Sequence, residues 1–426
     1  MKGRWPRIAW SPVQVAPWSV LRSGASALLL LGASALILLG ALRPAAASES
    51  IFGLQFLGTS DETGDGRARG LGILGVALDD TTTAITPNPA AYGGLHYMTF
   101  SFMGVMGSRT ARTATEEVQD GFARFPHVRV AIPLFGRVVL GTGFSGFRNT
   151  RGGFSLAPRS IDGLGYRQSF ERDGSLYTLP IVVAAGIGSR VRVGVSVDFL
   201  LGTVDEKWIS AGDSLLNLAT RRRDEMRGTS VRLGVMSAPW PWLRVGAAWS
   251  PEFNAERERR TTLEDATPGS TAAPIRHSSL NTDVNLPQML QGGAAIKLGR
   301  EWLVAGDFLW RDWPTYDGST YEASGVRAET RYGAGLEYRV GIWSYIRAGV
   351  SRWTWGFDAE GAAVRETAIH FGGGVPLSPG KGGVHFALEH AWIGSLADNG
   401  LEERAWRVVV SVSGQETWLR KAPHAR

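Results

Sequence analysis

The sequence has no cysteine in its 426 residues. That excludes a disulfide framework and every thiolate metal site. Long apolar runs are nearly absent. Gly24–Leu42 is the single stretch approaching the about 20 residues that a membrane-crossing helix needs, so a polytopic helical membrane protein is excluded. Catalytic signatures are missing as well. No H-E-x-x-H and no P-loop occurs, and Gly143-Phe144-Ser145-Gly146-Phe147 lacks the G-x-S-x-G spacing. The seven histidines, His96, His127, His277, His370, His385, His390 and His424, show no metal-ligand spacing on one element. His385 and Glu389 share one inward strand face and could pair, which reads as a lumen hydrogen bond rather than a hydrolase site. Asp79 and Asp80 carry charge enough for a cation, but adjacent carboxylates at a loop edge are usually solvated or capping. No catalytic residue, cofactor or metal ligand is assigned, and an enzyme is not expected.

Acidic residues are absent from Met1–Ala47, where Lys2, Arg4, Arg7, Arg22 and Arg43 stand. A basic start, the apolar run and Ala45-Ala46-Ala47 as an A-x-A site read as a cleaved secretory signal rather than an uncleaved anchor. Removing its five cations takes the formal charge from +6 to +1 (6 − 5). The basic balance is therefore no argument for nucleic acid as a partner.

What is abundant is glycine, 55 residues, nearly twice the usual share of about 7%. What recurs is alternation. Over Val326–Trp355, Arg327, Glu329, Arg331, Gly333, Gly335, Glu337 and Arg339 fall on one face. Ala328, Thr330, Tyr332, Ala334, Leu336, Tyr338 and Val340 fall on the other. Period-2 patterning is that of a strand. The chain turns near Gly341 and returns through Ile346, Ala348 and Val350 against Arg347, Gly349 and Ser351. Later segments repeat the pattern, and no amphipathic helices remain to cover the apolar faces. Lipid is the cover that is left.

About fourteen such strands fit between Leu95 and Ser413. Short connections near Phe135, Gly188, Pro239, Gly299, Gly341 and Pro379 alternate with longer ones at Gly107–Pro126, Arg148–Gln168, Lys207–Glu225, Arg260–Pro287, Pro314–Val326, Gly356–Glu366 and Gly394–Glu403. That asymmetry belongs to an outer-membrane barrel with its short turns in the periplasm. Val191-Arg192-Val193-Gly194-Val195 recurs around Arg232, Arg244 and Arg347, each Arg followed two positions on by Gly. Arg facing lipid at mid-depth would cost about 2–4 kcal/mol, so this face is the lumen, and the Gly leaves room for a long side chain or a plug. Arg192, Arg232, Arg244, Asp307, Arg331, Glu337, Arg347 and Glu389 form the expected lumen wall, with Asp198, Lys297, Arg311, Glu329 and Arg407 on the same set. Both signs are present, so structural salt bridges are expected there. Trp240, Trp242, Trp302, Trp310, Trp313, Trp343, Tyr345, Trp353, Trp355 and Trp406 are read as aromatic girdles.

Ile51–Gly94 alternates poorly and is punctuated by Gly and Pro, yet its apolar residues need burial. It reads as an irregular plug inside the barrel, built on Gly70, Gly72, Gly75, Asp79, Asp80, Asn88, Pro89 and Ala90. The expected architecture is all-β: a signal peptide at 1–47, a hatch at 48–94, a transmembrane antiparallel barrel of about fourteen strands at 95–413, and a periplasmic tail at 414–426.

Ala68-Arg69-Gly70-Leu71-Gly72 through Asp79-Asp80 to Asn88-Pro89-Ala90 resembles the hatch of the long-chain fatty-acid transporter (FadL-like) superfamily of outer-membrane proteins. Asn285-Leu286-Pro287 to Gly292-Gly293, then Trp302, Asp307 and Trp313, is similar to that family's mid-barrel hairpin. Glu402-Glu403 to Trp406-Arg407 and Gly414 to Trp418-Leu419 resembles the closing strand of barrels from the type IX secretion branch, although here Lys421–Arg426 follows it. The resemblance implies passive uptake of hydrophobic compounds such as long-chain fatty acids, with release by a plug shift or a gap in the wall. Phe52, Leu54, Phe56, Leu57, Phe100 and Phe102 are then the candidate pocket. Implied partners are outer-membrane lipid, a hydrophobic ligand and the barrel-assembly machinery, with a monomer expected. Two alternatives stay open. A sealed lumen would favour a non-transporting secretion or envelope interaction protein, and a Ser–His pair within hydrogen-bond reach would favour a barrel enzyme.

Overall fold

The structure is a computed structural model that describes residues 50–134, 138–156, 158–161, 164–212, 217–267, 274–316, 325–341, 344–377 and 381–416. The expected signal, the end of the expected tail and Trp343, Trp418 and Leu419 lie outside the described residues.

Fourteen antiparallel strands form the wall. They are β1 Met98–Arg112, β2 Glu117–Pro133, β3 Val138–Ser155, β4 Leu164–Ile187, β5 Val191–Gly212 and β6 Leu218–Trp240. Then come β7 (Leu243–Ser250 and Phe253–Asp265), β8 (Arg276–Leu286 and Met289–Leu298), β9 Trp302–Arg311 and β10 Glu329–Val340. The last are β11 Ser344–Ala359, β12 Ala362–Pro376, β13 Gly382–Ser395 and β14 Leu401–Glu416. The two interrupted strands break at Pro251 and Pro287, where the missing N–H cannot join a ladder. Each strand pairs with its sequence neighbours, and β14 closes on β1 from Glu402↔Arg112 to Glu416↔Met98. Closing the ring removes the two terminal edges an open sheet would present to lipid.

The faces divide as the alternation requires. Tyr332, Ile346 and Val350 are more than half exposed, while Glu337 and Arg347 between them are 4% exposed. The outward apolar surface places the barrel in the outer membrane. Trp240 and Trp242 stack at a short turn, ring centres 5.5 Å apart, beside Trp302 packed on Tyr338. These turns mark the periplasmic rim.

Three expectations are corrected. First, most of the expected outer loops are ladder. β4, β5 and β6 run for 24, 22 and 23 residues, beyond the about 9–11 that cross a bilayer. Lys207–Glu225 and Arg260–Pro287 are largely paired backbone. Outside the lipid both strand faces are polar, so the alternation that announces a strand is lost while the hydrogen bonding continues. Second, Trp313, Trp353 and Trp355 are not girdle residues but lie inside, at most 9% exposed. Trp353 and Trp355 share the parity of Arg347 and Gly349 on β11. Third, the last strand ends at Glu416, so Gly414–Glu416 belong to the wall, and the first begins at Met98 rather than Leu95.

Candidate functional site

Residues 50–97 pack against β3–β6 on one side of the ring and β11–β14 on the other. Their local shape follows from their caps. Asp65 Oδ1 accepts from the N–H groups of Arg67 and Ala68, starting the short helix α1 Gly66–Gly70. Gly72, at φ +69°, turns the chain out of it. Asn88 Oδ1 accepts from Ala90 N–H at 3.0 Å, with Pro89 at the first helical position of the 3-10 turn Pro89–Gly94. The Asn88 amide donates to the Val76 carbonyl of the hatch and the Val235 carbonyl of β6, at 3.0 and 3.1 Å.

The Arg-x-Gly repeat is the seat of this segment. At Gly335 and Gly349 a β-carbon would overlap the Leu71 carbonyl, and at Gly333 the Gly72 carbonyl. At Gly194 and Gly234 it would overlap the Asn88-Pro89 turn, and at Gly246 it would stand 2.5 Å from the Val76 carbonyl oxygen. Only a bare wall admits backbone this close. The arginines of the repeat then supply charge. Arg192 (2.6 Å) and Arg244 hold Asp79, Arg232 holds Glu62 at 3.0 Å, and Arg347 holds Glu337 at 2.6 Å. Three of the four therefore grip the hatch rather than the wall, and Glu62, absent from the sequence-predicted set, is a principal partner. Its signal was faint: an acid in an irregular segment with no strand to give it a face.

Deeper in, Arg69 of α1 makes a two-pronged pair with Glu389, which also faces His370 at 3.5 Å and Arg407 at 3.8 Å. His385 does not pair with Glu389; two strand repeats separate them. Arg67 binds Glu337 through Nε and Nη2 at 2.9 and 2.7 Å. Asp307 accepts from the Leu74 and Gly75 N–H groups at 2.9 and 2.8 Å. Arg331 lies with its guanidinium 5.8 Å from the Trp353 ring centre. Removing one partner of a buried pair such as Arg69–Glu389 costs about 3–5 kcal/mol, because the other charge stays buried.

These pairs give the hatch a pH dependence. Burial alone would raise the carboxyls of Asp79 and Glu62. Arg192 and Arg244 hold the first below the usual carboxylate range, and Arg311 and Arg232 hold the second. Groups depressed in the folded state stabilise it above their unfolded pKa and lose that stabilisation as pH falls through the folded value. The hatch should stay seated at neutral pH and loosen below about pH 4. Limited proteolysis across that range tests this; cleavage of the hatch that is unchanged on acidification would contradict it.

The candidate pocket residues divide. Phe52, Leu54, Phe56 and Leu57 are at most 5% exposed, among Trp313, Tyr316, Trp355 and Phe357. Phe56 meets Trp313 edge-on at 4.7 Å, and Trp313 donates its indole N–H to Glu329 at 2.6 Å. Phe100 and Phe102 are excluded from the lumen. They share the outward parity of β1, and Phe100 is 48% exposed. Two Ser–His pairs are present: Ser145 with His127, and Ser351 with His370, each at 2.8 Å. Both lie under the hatch, beside cavities of about 30 and 20 Å³, space for about one water and none for an ester. One larger cavity, about 340 Å³, lies at the periplasmic mouth and is lined by Arg67, Asp80, Arg244, Lys297, Glu337 and His385.

The ladder between β2 and β3 stops partway up the wall. β2 pairs with β3 only from His127↔Ser145 to Pro133↔Val139. Above it β2 keeps β1 and β3 keeps β4, but they do not pair with each other. Both strands deviate at that height: β2 at a bulge holding Phe125-Pro126, β3 at a bulge holding Phe147. Pro126 has no N–H to offer. The hatch closes this seam. Thr59 and Ser60 pair with Asn149 and Arg148 on the free edge of β3, Asp61 N–H donates to the Phe147 carbonyl, and the Asp61 carboxylate meets Arg124 of β2.

A family model described as BamG matches residues 31–424. No curated protein matches the chain in sequence. The structure is similar to that of the Ralstonia pickettii toluene transporter TbuX, at TM-score 0.59 and 15% identity, over 83% of this chain and 99% of that one. A Pseudomonas aeruginosa FadL homologue gives TM-score 0.58 and 13% identity, over 85% and 100%. A deltaS2S3 mutant of the Pseudomonas putida monoaromatic hydrocarbon channel TodX gives 0.55 and 13%, over 84% and 99%. At these identities the likeness is one of fold: a FadL-like outer-membrane barrel.

Proposed function

The chain belongs to the BamG family, and from that premise we propose that it is an outer-membrane channel for passive uptake of hydrophobic compounds, held closed by its hatch. The observation that carries this reading is the seam between β2 and β3, closed by hatch residues Thr59–Asp61 rather than by wall strands. A gap filled by the hatch instead of a neighbouring strand gives an apolar ligand a sideways route once the hatch moves. Ligand enters from the outside, meets the apolar surface of Phe52, Leu54, Phe56 and Leu57 once the hatch start moves, and leaves sideways into lipid through the seam. The proteins of like fold are named for toluene, for monoaromatic hydrocarbons and as a FadL homologue, which supports hydrophobic compounds as the class; long-chain fatty acids are proposed as one member of it. In this proposal residues 1–47 direct export and are removed, 48–94 act as the hatch, the barrel-assembly machinery inserts the wall, and one copy suffices. Cells lacking their own hydrophobic channel should take up labelled toluene or fatty acid faster when this protein is folded in their outer membrane. Equal rates with and without it would refute transport.

One observation favours a second reading, a non-transporting barrel that acts by contact with assembly or secretion machinery. Above the periplasmic mouth, the cavities found among the described residues are water-sized and the lumen is tied by ion pairs. The same uptake measurement separates the two.

A further inference from the structure

Asp65 at the start of α1, Asp80 in the hatch loop and His385 on β13 each offer one ligand atom, and these atoms all lie within 4.8 Å of one another. The three come from separate stretches of chain, so the fold brings them together. Two of them are buried and each has one polar atom without a partner. Asp65, 3% exposed, spends Oδ1 on capping α1, and its Oδ2 has no partner. His385, 7% exposed, has no partner for Nδ1. Buried polar atoms left unsatisfied are costly unless something takes them up.

From this geometry we infer that Asp65, Asp80 and His385 form a binding site for a divalent transition-metal ion of the zinc type, which ties the hatch to the barrel wall. The donor set decides the class. One imidazole and two carboxylates suit zinc, whereas calcium and magnesium take oxygen alone. Three protein ligands leave a fourth position for water, and the periplasmic-mouth cavity that both Asp80 and His385 line supplies it. The surrounding charges permit a cation: Asp65 and Asp80 supply two carboxylates, and Glu337 pairs with both Arg67 and Arg347 and offsets part of their charge. Arg67 touches Asp80 at 3.1 Å, but it also has Glu337 on two of its nitrogens. It therefore keeps a counter-ion when the metal takes Asp80. Bonds of about 2.0–2.2 Å fix the three ligand atoms around one centre. The ion thus joins helix start, loop and wall at one point.

The test uses untagged full-length protein folded in detergent, stripped with EDTA and dialysed against zinc. The expected result is one zinc retained per chain through gel filtration, not displaced by magnesium or calcium. Cobalt in its place should give the visible absorption of a four-coordinate ion without a sulfur band, since the chain has no cysteine. His385→Gln and Asp65→Asn should each lose the ion while keeping heat-modifiable gel mobility; Asn still caps α1. If a variant does not fold, the wild type decides alone, by stoichiometry and by a fall in unfolding temperature when EDTA is added. Wild type that retains no zinc, or folded variants that both retain as much as wild type, would overturn the assignment.

Discussion

Deleting Gly70–Ala91 is expected to convert a closed barrel into an ion-conducting one. The segment holds Leu71 and Gly72 against Gly333, Gly335 and Gly349, Val76 against Gly246, and Asn88-Pro89 against Gly194 and Gly234. Without it those glycines face open space, because they have no side chains to reach inward. A ring of fourteen strands encloses more than its wall residues fill. The deletion also removes Asp79, which leaves Arg192 and Arg244 facing the opening without their counter-ion. The wall's own ladder is untouched from β1 to β14, so the barrel should still insert and keep its heat-modifiable mobility. In planar bilayers the deleted protein should show stable conductance steps, anion-preferring from the freed arginines, where intact protein shows little current. Equal currents would mean that the segment does not block the lumen.

The second large effect comes from one glycine. Gly349→Val places a β-carbon and two methyl groups where the Leu71 carbonyl sits. That carbonyl cannot retreat, since Gly335 bounds it on the neighbouring strand. Overpacking a flexible side chain costs about 1–3 kcal/mol; here the obstacle is backbone, so the upper end or more is expected, with the hatch unseated as the alternative to strain. Gly414→Ala is the control, because nothing lies within 4 Å of the carbon it adds. Gly349→Val should lower the unfolding temperature and make the hatch protease-sensitive, and Gly414→Ala should do neither. If both variants behave as wild type, the Arg-x-Gly repeat is not the seat.

The wall was legible because lipid imposes a rule without local exceptions: one face apolar, one face not. That rule gave the strand number, the inward Arg192, Arg232, Arg244 and Arg347, and the bare glycines beside them. It stopped where lipid stops. The outer rungs of β4, β5 and β6 are charged on both faces, and such residues look like loop although their backbone is paired. The inward placement of Trp313, Trp353 and Trp355 was obscured by the frequency of Trp at membrane interfaces; strand parity with Arg347 was the better guide for the last two. Phe100 and Phe102 were proposed for the pocket on hydrophobicity, and the parity of β1 contradicts that. The hatch was recognisable by what it lacked, a regular period, but its contacts were not. Which wall arginine meets Glu62 or Asp79 depends on how an irregular chain folds inside the ring, and no spacing encodes that. The seam left a trace in Pro126, a residue a central strand does not hold comfortably.

The most direct measurement of the central claim locks the seam. Thr59 and Asn149 are antiparallel partners across the hatch–wall contact, and the chain has no other cysteine to interfere. The double variant Thr59→Cys, Asn149→Cys, folded in the outer membrane of cells without another hydrophobic channel, is compared oxidised and reduced for uptake of labelled toluene and fatty acid. A hatch that must leave β3 for ligand to pass predicts background uptake when oxidised and wild-type uptake when reduced. Equal uptake in the two states, at a rate above background, would contradict passage through this seam.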